Sequence, residues 1–398
     1  MVESMRESRN DGGGLDPLGG LRVLELANWA AAPCAAAIMA DLGADVIKVE
    51  PPSGDSMRGR LRQAALGPDE VNPDHPFQFA NRGKRSIALD LGTGEGAATA
   101  KRLAATCDVV ITNLVPDRRA RYGLDVDDLF AVKPDLVIGV FSGYGEEGDE
   151  SSRLGYDTTA FFARSGLQGS IAGPDGGPPR FRPGQGDHTA GLALFGGVLA
   201  ALRARDMTGE GQVVEGTLLR TATWTLAMDL ATAAADGKPT VSRPRHQTVT
   251  PLIEPFECAD GKWFQMSNPN PALWTSFCAA IERPDLDEPP FDSPVERFRR
   301  NGELMAELDR VFVERTRAEW GDALDRHGIT WAPINDTVEA FNDPQVRATG
   351  AFEPVDHPTA GTFDTVAAPF RMRTATSRVR GPAPEIGQHT DEVLAELD

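Results

Sequence analysis

The chain has 398 residues, of which 40% are hydrophobic and 25% charged, and 59 acidic against 40 basic residues give a formal net charge of −19. This composition supports a folded core and excludes a general binder of nucleic acids or anionic membranes, because both require a basic face. The four cysteines form no CxxC or Cys/His cluster, so we expect no metal site and no disulfide framework. No stretch is long and apolar enough to span a membrane, and a reducing cytoplasm is the expected compartment.

Short apolar runs alternate with helical segments along the first half of the chain. The apolar runs predict strands at residues 22–26, 45–49, 86–90, 108–113 and 136–142. The intervening patterns predict helices at residues 33–42, 95–107 and 125–132, and a long apolar helix follows at 188–205. This alternation indicates an α/β fold with a mainly parallel sheet and helices on both faces. The turn after the first strand lacks the GxGxxG fingerprint, which excludes a nicotinamide-dependent enzyme.

The residue composition of the chain changes twice in its second half. From about residue 226 it becomes rich in Pro, Gly, Thr and Arg and then in charged helical patterns, which predicts a smaller domain at 226–327. Short strand-like runs return from residue 328, and a helix is expected near the end of the chain. The predicted organisation is therefore a large domain from residues 1–225 and 328–398, with the small α+β domain between them.

Two acidic residues stand at turns that lead into helices. Asp187 ends the motif Gly184-Gln-Gly-Asp directly before the long apolar helix, where backbone N–H groups favour an ionised carboxylate. Such a carboxylate is either a helix cap or a nucleophile toward an activated carbonyl, and local chemistry alone favours the cap. Asp157, in Gly155-Tyr-Asp, repeats the pattern, so the two carboxylates are candidates for one cleft.

A basic cluster lies before the third predicted strand. Arg82, Lys84 and Arg85 are close together in an otherwise acidic protein, and their charges suit either a phosphate site or a solvated surface. A Ser/His/Asp triad is not supported, because the chain has no GxSxG elbow.

Four ordered segments resemble the class III CoA transferases, a family that includes formyl-CoA, carnitine and bile-acid CoA transferases and α-methylacyl-CoA racemases. The segments start at Leu18 (LGGLRVLEL), Asp41 (DLGADVIKVEPPSGD), Asn81 (NRGKRSIALD) and Gly387 (GQHTDEVL). The resemblance covers the chain from residue 18 onward. It implies a Rossmann-like large domain built from both chain ends, a smaller domain, and two chains interlocked as a homodimer.

The resemblance also implies a mechanism and a set of site residues. Asp187 matches the family nucleophile, and an aspartyl anhydride and an aspartyl-CoA thioester would carry CoA from an acyl-CoA to a carboxylic acid. Coenzyme A is then a substrate, and no permanently bound cofactor is implied. By position, the CoA contacts would be Ala30, Ala31, Leu89, Asp90, Leu91, Asn113, Leu114 and Arg121.

Departures from the family pattern bear on the reaction. Racemases of the family carry a His-Asp pair where this chain has Tyr156-Asp157, and a tyrosine with an ordinary pKa of about 10 is a poor base at neutral pH. Transfer is therefore favoured over racemisation or isomerisation through Asp157 and Asp187, and a non-catalytic CoA-binding protein is the third alternative. Trp29, Phe161 and Phe162 suit an apolar acyl pocket and core packing equally well.

Overall fold

The structure, a computed structural model, describes residues 14–59, 73–173, 177–268 and 270–398. Contacts within these residues divide the chain into two units. The first takes the described parts of Met1–Gly169, Pro179–Pro239 and Gly350–Asp398, and the second takes those of Ser170–Pro178 and Thr240–Thr349. The sequence placed the start of the smaller domain near residue 226, whereas the contacts keep residues up to 239 with the first unit.

A six-stranded parallel sheet forms the centre of the first unit. Its strands are β1 (Arg22–Leu26), β2 (Asp45–Glu50), β3 (Arg85–Ala88), β4 (Val109–Thr112), β5 (Val137–Ser142) and β6 (Gln212–Thr217). They lie side by side in the order β3-β2-β1-β4-β5-β6, and each neighbouring pair is parallel. The chain reverses its direction of winding between β1 and β4, which is the switch point of a Rossmann-type sheet. Strands β1, β2, β4 and β5 are almost fully buried, and this includes the charged residues Glu25, Lys48 and Glu50 of β1 and β2.

Helices cover both faces of this sheet. In chain order they are α1 (Ala31–Asp41), α2 (His75–Asn81), α3 (Gly94–Ala105), α4 (Pro116–Tyr122), α5 (Val126–Val132), α6 (Leu167–Ser170), α7 (Gln185–Thr208), α8 (Leu218–Thr225) and α9 (Ala227–Asp236). Every residue of α1 is buried, and α1 packs directly on α7. A methyl group on Gly191 of α7 would lie 2.4 Å from the Ala31 carbonyl oxygen, so the close approach of the two helices requires glycine there. None of the helices in the described ranges has the length and hydropathy of a membrane-spanning segment.

The second unit has its own sheet and core. Strands β7 (Pro255–Glu257), β8 (Trp263–Met266) and β9 (Trp331–Ile334) form an antiparallel sheet in that order. Its helices are α10 (Trp274–Ala280), α11 (Pro294–Arg299), α12 (Asn301–Phe312), α13 (Arg317–Arg326), α14 (Thr337–Asn342) and α15 (Pro344–Ala348). The run at 330–335 was expected in the returning part of the large domain. It is β9 of this unit instead, because it pairs with β8.

The C-terminal residues rejoin the first unit without adding a strand to the six-stranded sheet. They form a hairpin of β10 (Phe352–His357) and β11 (Gly361–Val366), and then the short helix α16 (Thr390–Ala395). The His389 N–H donates to the Ser86 carbonyl oxygen at 2.9 Å, and the Ala88 N–H donates to Thr390 Oγ1 at 3.2 Å. The expectation of a sheet built from both chain ends is corrected: the C-terminal end covers the open edge of β3, which protects its backbone groups.

Candidate active site

The structure brings Asp157 and Asp187 together, although 30 positions separate them in sequence. Asp187 lies in the first turn of α7 and is partly exposed. Asp157 begins a short π-helical turn, Asp157–Ala163, and is 1% exposed. Its Oδ2 accepts hydrogen bonds from the N–H groups of Gly184 at 2.7 Å and Gly186 at 3.3 Å. The buried carboxylate therefore holds the turn that presents Asp187.

The two glycines of the Gly-Gln-Gly-Asp motif make this arrangement sterically possible. Gly184 has a φ of +106°, a backbone conformation that residues with a Cβ rarely adopt. A methyl group on Gly186 would lie 2.7 Å from Phe161 Cγ and 2.9 Å from Asp157 Cβ. The start of α7 can therefore approach the Asp157 turn only because residue 186 has no side chain.

The environment of Asp187 favours its protonated form. Burial, and after it the negative charge of Asp157, raises the pKa of the Asp187 carboxyl from 3.8 to about 7. The neighbouring His188 packs edge to face on Phe79, with the ring centroids 4.8 Å apart. Desolvation lowers the pKa of His188, and the charge of Asp157 opposes that effect. A carboxyl that titrates near neutrality is available as a carboxylate and retains more basicity than an ordinary aspartate.

The loop after β1 is fixed beside this turn by two polar side chains. Asn113 bonds both backbone groups of Asn28: its Oδ1 accepts from the N–H at 3.1 Å, and its Nδ2 donates to the carbonyl oxygen at 2.7 Å. The Trp29 N–H donates to Asp55 Oδ1 at 3.1 Å. Trp29 has a φ of +68°, which costs a non-glycine residue about 1 kcal/mol, so these bonds hold the loop in a strained form.

Asp55 belongs to a fully buried cluster of four charges. Lys48 Nζ lies 2.7 Å from Glu25 and 2.8 Å from Asp55, and Lys84 Nζ lies 2.5 Å from Glu25. Burial lowers the pKa of Lys48, but its two carboxylate partners raise it above the ordinary range overall. Lys84 has one carboxylate partner and is repelled by Lys48, so burial wins and its pKa falls to about 8. Asp55 carries no signal of this role in the sequence, because only the fold brings it to the Trp29 N–H.

The basic cluster before β3 does not form a phosphate site. Arg82 pairs with the buried Asp41 at 2.7 Å, and Lys84 forms an ion pair with Glu25. Arg85 binds Asp45 at 2.5 Å. The phosphate interpretation of the cluster is wrong, because Arg82 and Lys84 are buried and all three cations neutralise carboxylates of the protein itself.

The expected CoA contacts follow strands that end at one edge of the sheet. Ala30 and Ala31 follow β1, Asn113 and Leu114 follow β4, and Leu89, Asp90 and Leu91 follow β3. Arg121 is exposed near the end of α4, whereas its neighbour Arg119 is buried and bonded to Asp125 and Glu146. Because the carboxyl ends of parallel strands meet at one edge, Ala30, Ala31, Asn113 and Leu114 flank the β1/β4 switch point, where such sheets bind ligands, whereas Leu89–Leu91 lie at the same edge beyond β2.

The chemistry of the site is that of carboxylates. Within the four described ranges, no group of three or more His, Cys, Asp or Glu side chains has the arrangement of a metal site. Burial raises the pKa of the nearby Cys34 thiol to about 12, so it is protonated at neutral pH. Asp187 is a carboxylate of the kind that can attack an activated carbonyl, and it stands in the first turn of a long helix.

The Rossmann-type sheet defines an α/β protein with a carboxylate at the start of a long helix, and comparison with known proteins shows its family. Residues 18–390 match the sequence profile of CoA-transferase family III, and the chain belongs to this family. It is 30% identical to the (R)-2-hydroxy-4-methylpentanoate CoA-transferase of Clostridioides difficile, over 96% of this chain and 95% of that protein. It is 32% identical to the succinyl-CoA:glutarate CoA-transferase of Mus musculus, over 98% of this chain and 88% of that protein.

A solved structure shows the same fold. The crystal structure of a CAIB/BAIF family protein from Brucella suis has a TM-score of 0.84 and 29% sequence identity, and the match covers 96% of this chain and 99% of that one. The expected membership of the class III CoA transferases is thus confirmed. The α/β fold is confirmed with it.

Proposed function

We propose that this protein moves CoA from an acyl-CoA thioester to a carboxylic acid and that Asp187 is its nucleophile. The observation that carries the proposal is the placement of Asp187 on a turn that the buried Asp157 fixes, where burial and then the charge of Asp157 raise the pKa of Asp187 to about 7. The names of the two relatives above support it, because both proteins are CoA transferases whose named substrates are carboxylic acids or their CoA esters.

The proposed reaction keeps the acyl group activated throughout. A carboxylate oxygen of Asp187 attacks the thioester carbonyl, the C–S bond breaks, and CoA thiolate leaves a mixed anhydride. The thiolate attacks the aspartyl carbonyl and displaces the donor acid, which gives an aspartyl-CoA thioester. The acceptor carboxylate then displaces CoA thiolate and forms a second anhydride. Attack of the thiolate on its acyl carbonyl yields the new acyl-CoA and regenerates Asp187, so no net proton transfer is required.

The surroundings of Asp187 assist this chemistry in two ways. Its raised pKa makes the carboxylate more basic, and basicity increases nucleophilic strength within a series of carboxylates. The N-terminus of α7 carries partial positive charge, which stabilises negative charge on the oxygens of the tetrahedral intermediates. Asp157 acts through the turn and through its charge. In this proposal it positions Asp187 and forms no covalent bond.

We also propose that CoA lies along the carboxyl edge of the sheet, with its nucleotide at Leu89–Leu91 and Arg121 and its pantetheine arm at Asn113 and Leu114. The exposure of Arg121 supports this, because an arginine without burial is free to meet phosphate groups. Asn113 already fixes Asn28, so it would connect CoA binding to the loop that carries Ala30 and Ala31.

The proposed enzyme is a homodimer. Helices α8 and α9 expose large apolar side chains, Trp224 at 82% and Met228 at 86%. A groove of about 450 Å³ beside them is lined by residues of α7, β6 and α8. Exposed apolar surface of this kind is typical of subunit interfaces. Sedimentation of Trp224→Glu tests the proposal: dissociation to a monomer supports it, and an unchanged dimer places the interface elsewhere.

Isotope exchange tests the proposed activity. The enzyme is incubated with an acyl-CoA and the ¹³C-labelled free acid of the same acyl group, and mass spectrometry follows the label into the thioester. Wild type should incorporate label without ATP, and Asp187→Asn should not. Asp206→Asn is the matched control, because Asp206 is exposed near the other end of the same helix. Absence of exchange with every thioester tried, together with deuterium uptake at the α-carbon in D₂O, would replace transfer with racemisation.

A further inference from the structure

Two large aromatic side chains stand exposed beside the candidate nucleophile. Trp29 is 36% exposed and Tyr156 is 54% exposed, and their rings meet edge to face with centroids 5.8 Å apart. Trp29 belongs to the loop after β1, and Tyr156 directly precedes Asp157. Phe161 and Phe162, which the sequence placed in the same class, are each only 4% exposed and belong to the core. The structure therefore separates the core aromatics from the pair that faces outward.

Trp29 is held in place by buried groups. Its left-handed backbone is maintained by the bond from its N–H to Asp55 Oδ1, and Asp55 is itself fixed by Lys48 in the interior. Strain that surrounding structure maintains is typical of residues that bind ligands. The buried cluster thus fixes the position of a side chain that is 36% exposed.

Tyr156 is fixed by the turn that carries the buried carboxylate. Its backbone N–H donates to Thr159 Oγ1 at 3.1 Å, within the local turn. The next residue, Asp157, binds the Gly184 and Gly186 amides of the turn that precedes Asp187. Tyr156 is therefore one residue away from the group that positions the nucleophile.

We propose that Trp29 and Tyr156 form an aromatic wall for the acyl chain and that the substrates are acids with a branched or aromatic apolar group. This inference rests on the proposed function. Both anhydrides form on the same Asp187 carboxylate, so the donor acid and the acceptor acid meet the same wall. Aromatic rings give such a chain a large apolar contact at low entropic cost, because a Trp or Tyr side chain has few rotatable bonds.

The inference is tested by comparing two donors on the full-length enzyme. The measured quantity is the ratio of kcat/KM for 3-phenylpropanoyl-CoA to that for acetyl-CoA, with the corresponding free acid as acceptor. Wild type should favour the phenylpropanoyl donor. Trp29→Ala and Tyr156→Ala should each lower the ratio about tenfold, the effect of losing one aromatic contact that the phenyl ring can make and the acetyl group cannot. Trp29→Phe should recover most of the ratio.

Trp263→Ala provides the matched control, because Trp263 has a similar exposure of 38% and lies on β8 of the second unit. Its ratio should equal that of wild type. An unchanged ratio in both Trp29→Ala and Tyr156→Ala, or a wild-type preference for acetyl-CoA, would overturn the aromatic wall and leave CoA transfer standing. Failure of the wild-type enzyme to transfer either acyl group would instead overturn the proposed function on which the inference rests.

Discussion

Replacing Asp187 by asparagine should make the folded protein more stable at alkaline pH. The site raises the pKa of this carboxyl from 3.8 to about 7, so keeping it ionised in the folded state costs free energy. Each unit by which the pKa of Asp187 differs between the folded and unfolded states corresponds to about 1.4 kcal/mol, so the free-energy cost of the ionised form is at most about 4 kcal/mol. Asp187 is partly exposed, and water and counter-ions reduce the cost. We therefore expect Asp187→Asn to gain about 1–2 kcal/mol at pH 8.5.

The sign of the effect fixes its dependence on pH. The folded state binds the Asp187 proton more tightly than the unfolded chain, so wild type loses stability as pH rises from about 4 to about 7. Asparagine does not titrate. The advantage of Asp187→Asn should thus be complete at pH 8.5, shrink to less than half by pH 5, and vanish near pH 4.

Urea unfolding at fixed protein concentration measures this difference. Wild type and Asp187→Asn are compared at pH 5 and pH 8.5, with Asp229→Asn as the matched control. Asp229 also lies in the first turn of a helix and is partly exposed. The control should show no comparable gain that depends on pH. If Asp187→Asn is no more stable than wild type at pH 8.5, or gains equally at both pH values, the site does not destabilise the ionised carboxyl.

Three further predictions follow from the same geometry. Gly186→Ala should destabilise the fold by about 2–3 kcal/mol and abolish acyl exchange, because the added methyl group would collide with Phe161. Gly196→Ala, on the same helix and with open space around the added methyl group, should stabilise the fold by about 0.5–1 kcal/mol, and thermal unfolding compares the two variants. Trp29→Gly should be about 1 kcal/mol more stable than Trp29→Ala, because glycine accepts a φ of +68°; equal stability by urea unfolding would exclude backbone strain there. The rate of acyl exchange should rise with pH through about 7 as Asp187 ionises. In Asp157→Asn the midpoint of this rise should move to lower pH but stay above 3.8, because burial is the larger cause of the raised pKa of Asp187. A rate profile that is flat between pH 5.5 and 8.5 would contradict this assignment.

The elements of the sheet could be predicted from sequence because their signals are local. Strand β1 was predicted at its observed bounds, since its three apolar residues, Val23, Leu24 and Leu26, form a short run typical of a buried strand. The long helix was predicted to begin at residue 188 but begins at Gln185. Its first turn contains two glycines, which weaken the helical pattern there.

Long-range features could not be predicted in the same way. The segment after Asp157 was expected to be an ordinary helix, but it is a π-helical turn that packs against the start of α7. Nothing in the local sequence indicates that the charged side chains of Arg82 and Lys84 are buried. Their partners, Asp41 and Glu25, are about 40 and 60 positions away and meet them only in the folded sheet.

The candidate site illustrates both situations. The Gly-Gln-Gly-Asp motif marks Asp187 as the first turn of a helix, and the structure places it there. The local sequence favoured a helix cap as the role of Asp187, and only the resemblance to the family implied that it is a nucleophile. The support of Trp29 by Asp55 had no sequence signal, because a left-handed tryptophan and a buried aspartate 26 positions away are connected only by the fold.

Trapping of the covalent intermediate tests the central claim most directly. Wild-type protein is incubated with a transferable acyl-CoA, treated with hydroxylamine or borohydride, digested and analysed by mass spectrometry. We expect an aspartyl hydroxamate, or the corresponding reduced residue, on the peptide that contains Asp187, and none at that peptide in Asp187→Asn or when the acyl-CoA is omitted. Modification of a different carboxylate, or continued acyl exchange by Asp187→Asn, would contradict it.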